Sequence, residues 1–173
     1  MLMWSGKESV TAIFSMSVIG FALLVTPACA GDAKAEIDFV TRASIGNLFA
    51  IAESRLAIDR TNDPEVKGFA QQLIEDHEEA KGALRSAAVG SGATAATMLD
   101  GGHQARVTTL QNKSGEDFDK TYIADQGEIH SNTLTLYADY MLLGDNAKLK
   151  ALAIKMIPVT EAQLKKAQAL SGN

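Results

Sequence analysis

Apolar residues recur along most of the chain at intervals of three and four, the spacing that puts them on one face of a helix. From Ala33 to Thr61 the stripe is Phe39, Ala43, Gly46, Ala50 and Ala57. Asn62-Asp63-Pro64 interrupts it. Asp63 suits an N-cap and Pro64 the first helical position, so a second helix is expected to start there at once. Its stripe is Val66, Ala70, Leu73, Ala80, Leu84 and Ala87. Small, flexible residues follow from Val89 to Ala96, with room for a short helix over Gly101–Asn112. Ser114 with Asp117 resembles a capping box opening a third long helix, striped by Phe118, Tyr122, Ile123, Ile129, Leu134, Tyr137 and Met141. Gly144-Asp145 is expected to end that helix and cap a fourth, Asn146 to about Leu170, which carries Leu149, Leu152, Met156, Leu164 and Leu170. Pro158 removes one backbone hydrogen bond from it.

No segment combines period-two alternation with branched residues, so the class is all-α. The tight first and last connections make helices one and two, and three and four, antiparallel neighbours. The middle connection decides the topology. Residues 89–113 can cross a helix of about 25 residues, roughly 38 Å long, because extended chain covers about 3.3 Å per residue. A hairpin needs far less chain. The expectation is a ferritin-like four-helix bundle with one long crossover between helices two and three.

The first thirty residues change the picture of where the protein works. Lys7 gives a positive start, Ala12–Val25 is apolar, and Ala28-Cys29-Ala30 is a small-x-small cleavage site. The apolar run falls short of the roughly 20 residues a membrane span needs. Residues 1–30 therefore read as a signal peptide and 31–173 as a single domain, periplasmic or otherwise in the cell envelope, with no transmembrane segment once processed. The alternative is a lipoprotein anchored through Cys29, the single cysteine. Cleavage after Ala30 discards that thiol and leaves stability to packing alone. Lys7 and Glu8 leave together, so the net charge of −5 is unchanged by processing. An acidic domain without a basic cluster argues against nucleic acid as a partner.

Four polar residues interrupt the apolar stripes near the middle of their helices, one per helix: Glu53, His77, His130 and Gln163. In a bundle they can meet. Carboxylate and imidazole suit iron, manganese, zinc or copper, which makes Glu53, His77 and His130 a candidate metal set. The same residues can also bond one another as a structural polar core. The paired Glu-x-x-His spacing of di-iron bundles is absent, and neither Asp76 nor Glu128 shares a face with its neighbouring histidine. No nucleophile elbow, phosphate-binding glycine loop, His-Glu-x-x-His motif or haem-attachment Cys-x-x-Cys-His is present. Catalytic residues are therefore not assigned.

The stretch Phe39-Val40 through Ala57, then Asn62-Asp63-Pro64-Glu65-Val66-Lys67-Gly68-Phe69-Ala70 and Asp76-His77, resembles the exported ferritin-like bacterial family of unknown function DUF4142. Ser114-Gly115-x-x-Phe118-Asp119-x-x-Tyr122, His130 and Leu164–Leu170 continue the likeness. Proteins of that family are often labelled predicted outer membrane proteins, yet an all-helical chain is no barrel. The resemblance implies a ferritin-like bundle with polar matches at Glu53, Asp76, His77 and His130, and a departure at Gln163, where relatives tend to carry histidine. It supplies no reaction. The expected role is a non-enzymatic binding or stress-related envelope protein whose core holds a metal ion. The rivals are a metal-dependent oxidoreductase using Glu53, His77 and His130, and a helix-mediated protein-interaction module.

Overall fold

A computed structural model describes Met1 and residues 29–172, with side-chain surroundings from Ala33 onward. The expected signal peptide lies outside the described residues, apart from Cys29 and Ala30, where the first helix begins. Among the described residues every regular element is a helix: α1 Cys29–Arg60, α2 Pro64–Ala87, α3 Gly101–Gln111, α4 Gly115–Leu143 and α5 Ala147–Ser171. None of them is long and apolar enough to cross a membrane.

The caps explain most boundaries. Asp63 accepts from the backbone N–H groups of Glu65 and Val66 with Pro64 directly after it, as the sequence predicts. Two caps differ from expectation. Ser114 stands at the N-cap of α4 but makes no side-chain capping bond. Gly115 beside it is left-handed (φ 57°), which turns the chain away before Ser114 can reach the next turn. The cap of α5 is Asn146 rather than Asp145, accepting from Lys148 and Leu149.

Among the described residues the two largest of three apolar clusters bracket the molecule, the third being Phe49, Val107 and Ile129. One joins Phe39, Val40 and Ala43 of α1 with Ala80 and Leu84 of α2, Leu136, Tyr137 and Tyr140 of α4, and Leu149, Leu152, Ala153 and Met156 of α5. The other joins Ala57 with Val66, Phe69, Ala70 and Leu73, with Leu110, with Phe118, Tyr122 and Ile123, and with Ala167 and Leu170. Both draw on all four long helices. α1 and α5 run from the first cluster to the second, and α2 and α4 run back. α1 packs on α2 and α4, and α5 on α4 and α2. α3 lies against α1 and α4, where Arg106 binds Asp125 and Glu128 and rests its guanidinium over the Phe49 ring. The α4 stripe sits differently from the expected one: Leu136 and Tyr140 are buried, whereas Leu134 and Met141 are half-buried.

Candidate functional site

Between the two apolar clusters each long helix turns polar residues inward. Ser44, Asn47, Glu53 and Ser54 of α1, His77 of α2, Gln126 and His130 of α4, and Thr160 and Gln163 of α5 are all buried. The four residues singled out from the sequence are among them. They do not form one cluster. His77 and His130 meet directly, Nε2 to Nε2 at 3.1 Å. Glu53 is one residue removed: Gln126 donates its side-chain N–H to Glu53 Oε2 at 2.9 Å, while the Gln126 backbone carbonyl takes the Nδ1–H of His130 at 2.6 Å. Gln163 reaches sideways, donating to Asp76 Oδ2 at 2.9 Å. Among the described residues no three His, Cys, Asp or Glu side chains gather as a metal cluster.

The tautomers follow from the partners. A carbonyl oxygen only accepts, so His130 carries its proton on Nδ1 and its Nε2 is a bare lone pair. His77 Nδ1 lies 2.8 Å from Asn47 Oδ1, which places its proton on Nδ1 as well. With both protons on Nδ1 two lone pairs approach to 3.1 Å, a repulsion that a cation bound by both nitrogens, off the line joining them, would relieve. Without a cation, Asn47 must turn its amide over so that His77 can donate from Nε2. Burial holds both imidazoles neutral: desolvation, then the neighbouring His130, lowers the His77 pKa to about 3. For His130 desolvation again dominates, opposed by the Gln126 carbonyl and the negative charge of Asp76.

Glu53 is neutral at pH 7. Desolvation, then repulsion from Asp125, pushes its carboxyl up to about 9. Glu53 Oε1 has no hydrogen-bond partner, and Asp125, which repels the carboxylate, is held by Arg106 at 2.7 Å. Several buried polar atoms nearby have no protein partner: Asn47 Nδ2, Gln126 Oε1 and Gln163 Oε1. An orphaned buried group costs about 1–3 kcal/mol, so this layer favours a polar guest.

Sequence spacing misses two residues that orient the histidines, Asn47 and Gln126. Both carried the signal that exposed the others. Asn47 is four residues after Ala43 and three before Ala50, and Gln126 is three after Ile123 and four before His130.

The model of the family described as a domain of unknown function, DUF4142, matches residues 25–170. No functionally curated protein matches the chain. Among solved structures, the crystal structure of a DUF305 fragment from Deinococcus radiodurans is similar at 12% identity and TM-score 0.70, covering 80% of this chain and 95% of that one. CopM in its Cu(II)-bound form is similar at 17% identity and TM-score 0.67, covering 80% and 96%. At these identities the likeness speaks for the fold alone.

Proposed function

The chain belongs to the DUF4142 family, and from that premise we propose that it is an exported, non-enzymatic cell-envelope protein holding a metal ion between His77 and His130. Residues 1–30 serve as the signal peptide and 31–173 as one ferritin-like four-helix domain. In this reading α1, α2, α4 and α5 are the four helices of the bundle, and 88–114, with α3 inside it, is the long crossover. The two clusters support that topology, because α2 ends in the first and α4 starts in the second.

The observation that carries the metal reading is the approach of His77 Nε2 and His130 Nε2 to 3.1 Å, with each Nδ1 held by an oxygen. Nitrogen ligands about 2.0–2.1 Å from a shared ion stand roughly 2.9 Å apart at a right angle and roughly 3.3 Å apart at the tetrahedral angle. The pair already has the bite of two neighbouring ligands. Each Nδ1–H is fixed by an oxygen, the outer bond that orients a ligating imidazole. Among iron, manganese, zinc and copper, two neutral nitrogens rank copper highest and manganese lowest. A similar fold in a Cu(II)-bound form adds to that choice. Glu53, neutral and bound to Gln126, sets the polarity of the layer rather than supplying a third ligand.

Thermal unfolding of metal-free protein during titration with each of the four ions tests the reading. Cu(II) is expected to raise the midpoint in proportion to log concentration above saturation, with His77→Ala and His130→Ala abolishing the rise. Unchanged midpoints with all four ions would overturn it.

A further inference from the structure

A buried ion needs a way in, and two of the clefts between helices differ in what they offer one. Between α1 and α4 a cleft of about 360 Å³ is lined by Arg42, His103 and Thr133, among others. It presents the Arg42 guanidinium together with Asp100, whose carboxylate His103 Nδ1 already meets at 2.9 Å, and α3 packs across the same two helices. Between α2 and α5 a groove of about 570 Å³ is lined by Phe69, Leu73, Asp76, Val159 and Gln163. Among the described residues the cation in that lining is Lys166, which pairs with Glu65 at 3.7 Å.

Resting on the metal reading above, we infer that the cation enters between α2 and α5, captured by the Asp76 carboxylate and admitted when the Gln163–Asp76 hydrogen bond opens. The placement is direct. Asp76 is half-buried in the groove lining, and the next residue, His77, turns into the core. Leu73, one helical turn before His77, is part of the same lining.

Gln163 is the piece that closes the gap. It is 94% buried, its Nε2 held by Asp76 and its Oε1 without any partner. Turning the amide over would set Oε1 against a carboxylate oxygen, so the bond to Asp76 fixes the orientation and leaves Oε1 orphaned inside. A cation seated on Asp76 competes for the oxygen that Gln163 Nε2 holds. Freed, the amide swings, and its oxygen becomes a neutral stepping ligand between carboxylate and imidazoles. Gln72, bound to Asp76 Oδ1 at 2.7 Å, keeps the carboxylate in place meanwhile.

Stopped-flow mixing of metal-free protein with Cu(II), followed by the absorbance of the loaded site, tests this. Asp76→Asn is expected to load about tenfold more slowly, and wild-type loading to slow with added salt, because a capture charge acts on the on-rate. Gln163→Ala and Gln163→Leu are expected to load faster than wild type, all variants ending at the same stoichiometry. Wild-type uptake that is lost in His77→Ala but proceeds unaltered in Asp76→Asn and both Gln163 variants would overturn the entrance while leaving the metal site standing. Failure of wild type to take up Cu(II) would overturn both.

Discussion

The ends of this molecule and its middle are built by opposite rules. At each end the packing is mostly apolar, with Phe39, Val40, Leu84 and Leu149, or Leu73, Leu110 and Phe118, and the polar atoms of these two clusters' side chains are the hydroxyls of Tyr137 and Tyr140, or of Tyr122. In the middle every long helix buries hydrogen-bonding side chains, and the protein leaves several of their atoms unpaired. The ends are made for stability. A layer that forgoes packing energy and keeps open donors and acceptors is made for something else, since apolar residues of the same size would hold the bundle at least as well.

The contrast can be broken from the apolar side first. Phe118→Ala, at a fully buried ring, is expected to cost about 3–5 kcal/mol by urea unfolding, the combined loss of transfer energy and a new cavity. Second comes Glu53→Gln, which keeps the shape of the neutral carboxyl. The folded Glu53 pKa of about 9 lies above its ordinary 4.5. The native state therefore binds the extra proton between those values, and wild-type stability falls as pH rises through that window. Relative to Glu53→Gln the loss is at most about 1.4 kcal/mol per pH unit, and it stops above pH 9. Parallel stability curves for the two proteins would refute a buried neutral Glu53.

A smaller effect is expected from His130→Ala in chelator, about 1–3 kcal/mol, because His77 loses its partner while staying buried. Replacing both with leucine is expected to cost no more than about 1–3 kcal/mol in metal-free protein, since no orphan imidazole remains and the loss is that of Asn47 Oδ1, left buried without His77. The double variant also sharpens the acid limb. His77 is held neutral down to about 3 against an ordinary 6.5. Its contribution is present above 6.5 and is lost as pH falls towards 3, so the double variant is expected to resist acid better than wild type. Glu116→Ala, which breaks the exposed pair with Lys120, is expected to leave unfolding unchanged.

Spacing along the chain was enough to read the apolar ends, because burial on one helix face is a local pattern. Asp63-Pro64 marked the start of α2 for the same reason. Where side chains compete at close range, spacing failed. Ser114 looks like a cap until Gly115 turns left-handed beside it, and Leu134 looks like core until α4 settles with Leu136 and Tyr140 inward. The middle layer was half legible. Glu53, His77, His130 and Gln163 stood out as polar residues at core spacing, and all four are buried. Which of them touch is a matter of distances between helices, and no pattern within one helix contains those. The sequence could not pair His77 with His130 rather than with Glu53, nor find Asn47 and Gln126 as the groups that set the tautomers.

Electron paramagnetic resonance of Cu(II)-loaded protein carrying nitrogen-15 histidine tests the facing pair most directly. Two equivalent directly bonded imidazole nitrogens are expected in the wild-type spectrum, with one signal removed by His77→Ala and one by His130→Ala. A spectrum without histidine nitrogen coupling, or one that both variants leave unchanged, would contradict an ion between His77 and His130.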